Sequence, residues 1–267
     1  MSIELKKVSK RFVDNVVLDG VDFFVAEGET VALLGPSGVG KSVLLKHIIG
    51  LIKPDSGEVW VDGQQVPLLG RKELAALRSR IGYVFQNGAL FDSMDVFENI
   101  RLGITDEQQF ADKDYCMHRV KECLRLVNLT EEVGGKYPSE LSGGMRKRVG
   151  IARAIAGKPV YLLYDEPTSG LDPVNADVID SLIERLQQEI GVTSVVVTHD
   201  VRGAFRVADR IALLALAKIR AVGTAEEIIA SRDPVVQQFL ERDLEMAVIQ
   251  ANEGMGEGGR GTGGPHL

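Results

Sequence analysis

Eight residues, "GPSGVGKS" at 35–42, concentrate the chemistry of this 267-residue chain. Gly35, Gly38 and Gly40 let backbone N–H groups turn inward as an anion nest. Lys41 adds a point charge for β- and γ-phosphates, and Ser42 offers a hydroxyl to Mg²⁺. Pro36, Ser37 and Val39 complete the loop, and Val43 follows on the next element. The apolar run "TVALL" precedes the loop and "KSVLLKHIIGL" follows with helical periodicity, the strand–loop–helix context a phosphate loop requires. A glycine-rich turn with an accidental lysine would not need those flanks.

Two acids end a second apolar run, "YLLYDE". Ligands of open parallel sheets gather at the carboxyl ends of strands, which brings Asp165 beside the phosphate loop as an outer partner of Mg²⁺. Glu166 is then placed to activate a water against a γ-phosphate. His199, after "VVVT", occupies the same topological position and becomes a candidate γ-phosphate contact. In "LSGGMRKRVGIARAIA" (141–156), Ser142, Gly143 and Gly144 open a helix, a second anion-ready N-terminus. Arg146, Lys147 and Arg148 crowd its first turn, where the helix dipole disfavours cations, so an anion held there would offset the cost. The chain's own loop already serves one nucleotide. The second site therefore points to a phosphate from another copy and to a two-fold dimer; a solvated basic helix is the plainer alternative.

The elements that must position these groups follow from pattern. "IELKKV", "VVLDGVDFFV" and "IGYVF" read as strands, "GEVWVDGQQV" as a hairpin turning at Asp62-Gly63, and "RKELAALRSR" as a helix. Helical periodicity dominates from about 92 to 156. "PVYLLYD" and "TSVVVTHD", joined by a helix over 174–190, mark a parallel βαβ layer. "RIALLAL" and "KIRAVG" suggest a last strand pair. Asp233-Pro234 starts a further helix whose Val236, Phe239, Leu240, Leu244, Ala247 and Val248 form an apolar stripe. A monomer offers that stripe no evident burial, so 233–250 reads as a docking helix. The Gly-rich 251–267 reads as disordered.

Composition sets bounds. With 31 Lys+Arg against 38 Asp+Glu the net charge is −7, which argues against nucleic acid as the main partner. Cys116 and Cys123 lack the companions of a metal site and read as reduced structural thiols. "MSIELKKVSKRF" has no signal-peptide character, and no apolar run reaches the ~18–20 residues of a membrane span.

Phosphate loop, Gln86, "LSGG", "YLLYDE", "SGLD" and His199, in this order and spacing, resemble the ATPases of ATP-binding cassette (ABC) transporters over residues 3 to about 230. The resemblance implies an α/β P-loop NTPase core over 1–232, with an antiparallel β subdomain and a helical subdomain inserted at about 92–156. It also implies ATP and Mg²⁺ as cofactors and two copies clamping two ATPs. Phe12 would stack on adenine, unless it anchors the core. Gln86 would sense Mg²⁺ and water, Ser142, Gly143 and Gly144 would contact the opposite γ-phosphate, and Asp172 would lie on the loop crossing the dimer. Met145 stands where the family commonly has glutamine, and "LALAKIRAVG" lacks the glycine or Asp-Gly of the usual hairpin.

Gln86 is the second residue of "FQNGALFDSMDVFENI" (85–100), in which small and apolar residues follow a polar sensor. In the family this segment lines a groove for a membrane-subunit helix; burial of 89–91 in the insertion's own core is the alternative. The wording of the stretch, of "SGGMRKRVGIARAIA" and of "DPVVQQFLERD" is similar to the Mla- and Mkl-type ATPases of Mce (mammalian cell entry) lipid transporters. That implies phospholipid cargo, an Mla-type permease and an Mce-domain partner, and leaves open a small regulatory subunit. It also implies a peripheral seat on the cytoplasmic face of the inner membrane. A solute importer for amino acids or sugars is the rival.

Overall fold

The computed structural model describes residues 2–242. Strands β1 (Ile3–Phe12), β2 (Asn15–Val25) and β3 (Thr30–Leu34) lead through the phosphate loop into α1 (Lys41–Ile48). Next come β4 (Ser56–Val61), β5 (Gln64–Gln65), α2 (Arg71–Arg78) and β6 (Ile81–Val84). Helices α3 (Val96–Arg101), α4 (Glu107–Ala111), α5 (Lys113–Leu126) and α6 (Gly143–Ala156) fill the interval before β7 (Tyr161–Asp165). The chain closes with α7 (Pro173–Ile190), β8 (Thr193–Thr198), α8 (Val201–Val207), β9 (Arg210–Ala215), β10 (Lys218–Gly223), α9 (Ala225–Ile229) and a helical stretch over 234–242. Among the described residues no helix is long and apolar enough to cross a membrane.

Two sheets carry this order. One is antiparallel, β2-β1-β4-β5, with Asp62 and Gly63 both at positive φ (50° and 72°) in the β4–β5 turn. The other runs β10-β9-β3-β8-β7-β6, all parallel except for β10 at one edge. Its central strands are buried on both faces, and alternate residues feed different cores. Leu163 and Tyr161 of β7, with Val195 and Val197 of β8, join α1 and the antiparallel sheet. Leu162, Tyr164 and Val196 join α6, α7 and the helical insertion. Ala32 and Leu34 of β3 face a third cluster with α8. Short polar side chains start the helices: Asp95 caps α3, Ser142 caps α6, and Asp172 caps α7 ahead of Pro173.

In β6, Gly82 and Val84 are buried while Ile81 and Tyr83 are half-buried. The β9–β10 hairpin turns on Leu216 and Ala217, both left-handed (φ 52° and 63°), without the expected glycine. The Ala217 carbonyl accepts from the Asp19 N–H at 2.8 Å, so β2 holds the turn in place. Lastly, Val236 and Leu240 are buried in this chain's own third core, with Val235 and Phe239 packed beside them. That half of the apolar stripe needs no second protein to cover it. Residues 243–250 of the expected docking helix and the Gly-rich 251–267 lie outside the described residues.

Candidate nucleotide site

The phosphate loop bends where side chains would collide. A Cβ on Gly40 (φ 113°) would run into Val17 of β2, and one on Gly35 (φ 156°) into the Leu214 carbonyl of β9. Pro36, Ser37 and Gly38 are exposed, while Val39 and Val43 pack partly into the core beneath. The Lys41 ammonium is buried and donates to the carbonyls of Gly35 (2.7 Å) and Pro36 (3.1 Å). It also lies 3.0 Å from Glu166 Oε1.

Glu166 is the hub. Its other oxygen, Oε2, meets His199 Nδ1 at 2.8 Å and accepts from the His199 N–H at 3.3 Å. Burial pushes the carboxyl toward its neutral form, but the His199 hydrogen bond and the Lys41 charge outweigh it and hold its pKa below the ordinary value. The bond to Glu166 in turn raises His199, against partial desolvation. Glu166 sits in a left-handed backbone conformation (φ 51°), sparsely populated for a side-chain-bearing residue.

Beside it, Ser42 Oγ donates to Asp165 Oδ1 at 2.6 Å and the Tyr83 hydroxyl to Asp165 Oδ2 at 2.9 Å. A hydroxyl and a carboxylate converging at the mouth of a phosphate loop suit Mg²⁺, a hard cation that takes oxygen donors and few protein ligands. Gln86 approaches from the end of β6, its Nε2 3.3 Å from Ser169 Oγ. Phe12 stands apart on the antiparallel sheet, 42% exposed, with the Lys10 ammonium 5.5 Å from its ring centroid. That exposure does not suit a core anchor.

The remaining candidates form a second group. Ser142 Oγ accepts from the Met145 N–H at 3.2 Å, and Ser142 and Gly143 are exposed. A Cβ on Gly144 would come within 2.8 Å of Asn175, whose amide donates to Asp172 at 2.6 Å. The "LSGG" turn and the Asp172 loop are therefore neighbours, and no bond joins Ser142, Gly143, Gly144 or Asp172 to the phosphate loop among the described residues. The basic run behaves differently from the sequence expectation. Arg146 donates to the Leu141 carbonyl (3.1 Å), Arg148 to Asn128 (2.8 Å), and Lys147 to the carbonyls of Gln86 and Glu166. These backbone partners offset the dipole cost that the sequence assigned to an anion.

The ABC transporter family model matches residues 18–169, more than half of the chain. The chain belongs to the ABC transporter family. The phospholipid-transport ATP-binding protein MlaF of Haemophilus influenzae is 39% identical over 243 residues, 91% of each chain. A probable sulfate/thiosulfate import ATP-binding protein, CysA of Chlorella vulgaris, is 43% identical over 228 residues, 85% of this chain and 93% of its own. A dimeric ATP-binding cassette solved with ADP and Pi after hydrolysis superposes with a TM-score of 0.76 at 35% identity, covering 84% of this chain and 98% of its own. This ABC protein is thus an ATPase, of the Mla/Mkl type that its motifs resemble.

Sequence reasoning missed three residues of this ABC site. Tyr83 has no role in the sequence reading beyond its place in the strand "IGYVF", Lys147 only one in a basic run, and Arg153 none. Arg153 donates to the carbonyls of Gly88 and Ala89, both at 2.7 Å. The alternation of β6 could have aimed Tyr83 at Asp165; nothing in residue type announces a bond to a distant carbonyl.

Proposed function

We propose that this chain is the ATP-hydrolysing subunit of a transport system that moves phospholipid between membranes. In this reading it sits on the cytoplasmic face of the inner membrane through an Mla-type permease, with an Mce-domain lipid-binding protein in the same complex. Two copies face each other, and Ser142, Gly143 and Gly144 of one meet the γ-phosphate held by the other's Lys41. ATP's phosphates compete with Glu166 for Lys41, which frees the carboxylate to take a proton from the attacking water. His199 remains at the γ-phosphate end and Phe12 supplies a stacking face for adenine. Ser42 and Asp165, with Gln86, would hold Mg²⁺, which neutralises charge on the phosphate oxygens when bound.

The observation that carries the lipid reading is the match to MlaF over 91% of both chains. The test is a pull-down of the tagged chain from its own membranes, with mass spectrometry of proteins and lipids. A co-purifying Mce-domain protein and phospholipid support it. The similarity to CysA favours a second reading, an importer subunit for a small solute. A permease recovered with a periplasmic solute-binding protein and no Mce partner would decide for that one.

A further inference from the structure

Lys147 lies on α6, five residues after the serine that caps it, and its side chain is 6% exposed. It reaches two carbonyls far apart in sequence, those of Gln86 and Glu166, the latter at 3.3 Å. Glu166 has its carboxylate oxygens on Lys41 and His199, so Lys147 grips its backbone rather than its side chain. The Glu166 N–H donates to the Val197 carbonyl at 2.9 Å. Its left-handed conformation is thus pinned from both ends of the residue, by β8 on one side and by α6 on the other.

The same helix holds the loop after Gln86. Lys147, Gly150 and Arg153 are spaced by three and share a face of α6. A Cβ on Gly150 would come within 3.0 Å of Gly88, so the loop backbone lies directly on the helix there. Arg153 takes the carbonyls of Gly88 and Ala89 beyond that contact. The segment 86–89 is laid along α6 by two cations and a close backbone approach.

We infer that Lys147 is a positioning residue for hydrolysis: its buried ammonium ties the helix that begins at Ser142–Gly144 to the Gln86 and Glu166 backbones. A shift of the first turn of α6 then reaches the sensor loop and the base within one chain. Burial works against the charged ammonium and the Glu166 charge favours it, so the cation persists because the two carbonyls and that charge compensate it. Replacing it with an apolar side chain of similar length takes this donor from the Gln86 carbonyl, leaves the Glu166 carbonyl only the Ser169 N–H at 3.2 Å, and cuts the tie between α6 and the base. A misplacement on the order of 1 Å is worth about 10²-fold in rate.

The test uses the full chain carrying Lys147→Met, with Lys147→Arg as the charge-keeping variant. ATP hydrolysis, ATP affinity by titration calorimetry and hydrogen exchange are read side by side. Lys147→Met is expected to lower kcat about 10²-fold with ATP affinity within about threefold of wild type, and Lys147→Arg to recover most of the loss. Amides over 86–91 should exchange faster in Lys147→Met while those of β3 stay unchanged. A kcat within about twofold of wild type, or unchanged exchange over 86–91, overturns the proposal. So does a parallel fall in kcat, ATP affinity and melting temperature that Lys147→Arg does not rescue, because that is the mark of a structural prop. If Lys147→Met does not fold, Lys147→Gln, which keeps an amide NH₂ as donor and drops the charge, is judged by the same outcomes.

Discussion

Glu166 is an anion by arrangement: burial opposes its charge, and His199 and Lys41 restore it. A carboxylate so held accepts a proton and does not donate one. Glu166→Gln keeps the shape and removes that capacity. It is expected to bind ATP and to lose about 10²–10⁴-fold in hydrolysis, read by phosphate release beside an ATP titration; wild-type turnover would remove Glu166 as the base. A second acid behaves in the opposite sense. Asp180 of α7 is 6% exposed, and burial first, then Asp200, push its pKa up to about 7, with Arg206 pulling back. Below the unfolded value both states are protonated and Asp180 has no effect. As pH rises toward about 7 the unfolded chain ionises first, so folding stability falls. Asp180→Asn should therefore stabilise the protein at pH ~8 by up to a few kcal/mol and change little at pH ~3.5. Urea melts at the two pH values check this, and an equal effect at both would refute the titration.

At the scale of elements, the β9–β10 turn carries avoidable strain. Leu216 and Ala217 both occupy the left-handed region, which disfavours a side chain by about 1–2 kcal/mol per residue, and Leu216 is 72% exposed. Leu216→Asn with Ala217→Gly gives this turn its preferred pair. The double variant should gain about 1 kcal/mol, after the entropy that glycine adds to the unfolded chain. Thermal melting reads it, and a loss would mean that Leu216 has a contact that outweighs the strain. The helical stretch over 234–242 yields a complementary expectation. Ending the chain at 233 removes the burial of Val236 and Leu240, about 1.5–3 kcal/mol for each, whereas ending it at 242 keeps both. The shorter chain should melt well below the longer one; equal melting would restore the reading of this stripe as a surface awaiting a partner. These elements also show what a sequence displays. The phosphate loop was legible because close backbone approach and inward N–H groups demand glycine at fixed spacing, and Ser142 because a helix start demands a short polar side chain. Lys147 was not, since its acceptors are carbonyls 61 and 19 residues away and every residue type carries one. Val236 and Leu240 revealed their periodicity but not the surface of α8 and β9 that covers them.

For the whole molecule, the proposed dimer divides one reaction between two groups that no bond joins among the described residues, Lys41 and Glu166 in one and Ser142 and Asp172 in the other. The segment 85–91 is the proposed seat of a membrane partner: α6 grips it through Arg153, and it contains Gln86. Two of its large apolar residues, Leu90 and Phe91, differ. Leu90 packs partly against the insertion's core, while Phe91 is 52% exposed, its backbone N–H and carbonyl held by the buried Asn99 side chain at 2.8 Å and 3.1 Å. Phe91 is therefore the position that tests docking without testing folding. Phe91→Asp would set a charge in a seat meant for an apolar helix, and burying an unpaired charge costs several kcal/mol. Lys41, Asp165 and Glu166 are untouched. The expected result is a protein that melts like wild type and binds ATP, yet no longer co-purifies with its membrane partner or supports transfer of lipid. Leu90→Asp serves as the contrast and should lower the melting temperature itself, since its side chain belongs partly to the core. A Phe91→Asp chain that is folded and still recovered with the permease in normal yield would place the coupling surface elsewhere on the helical insertion.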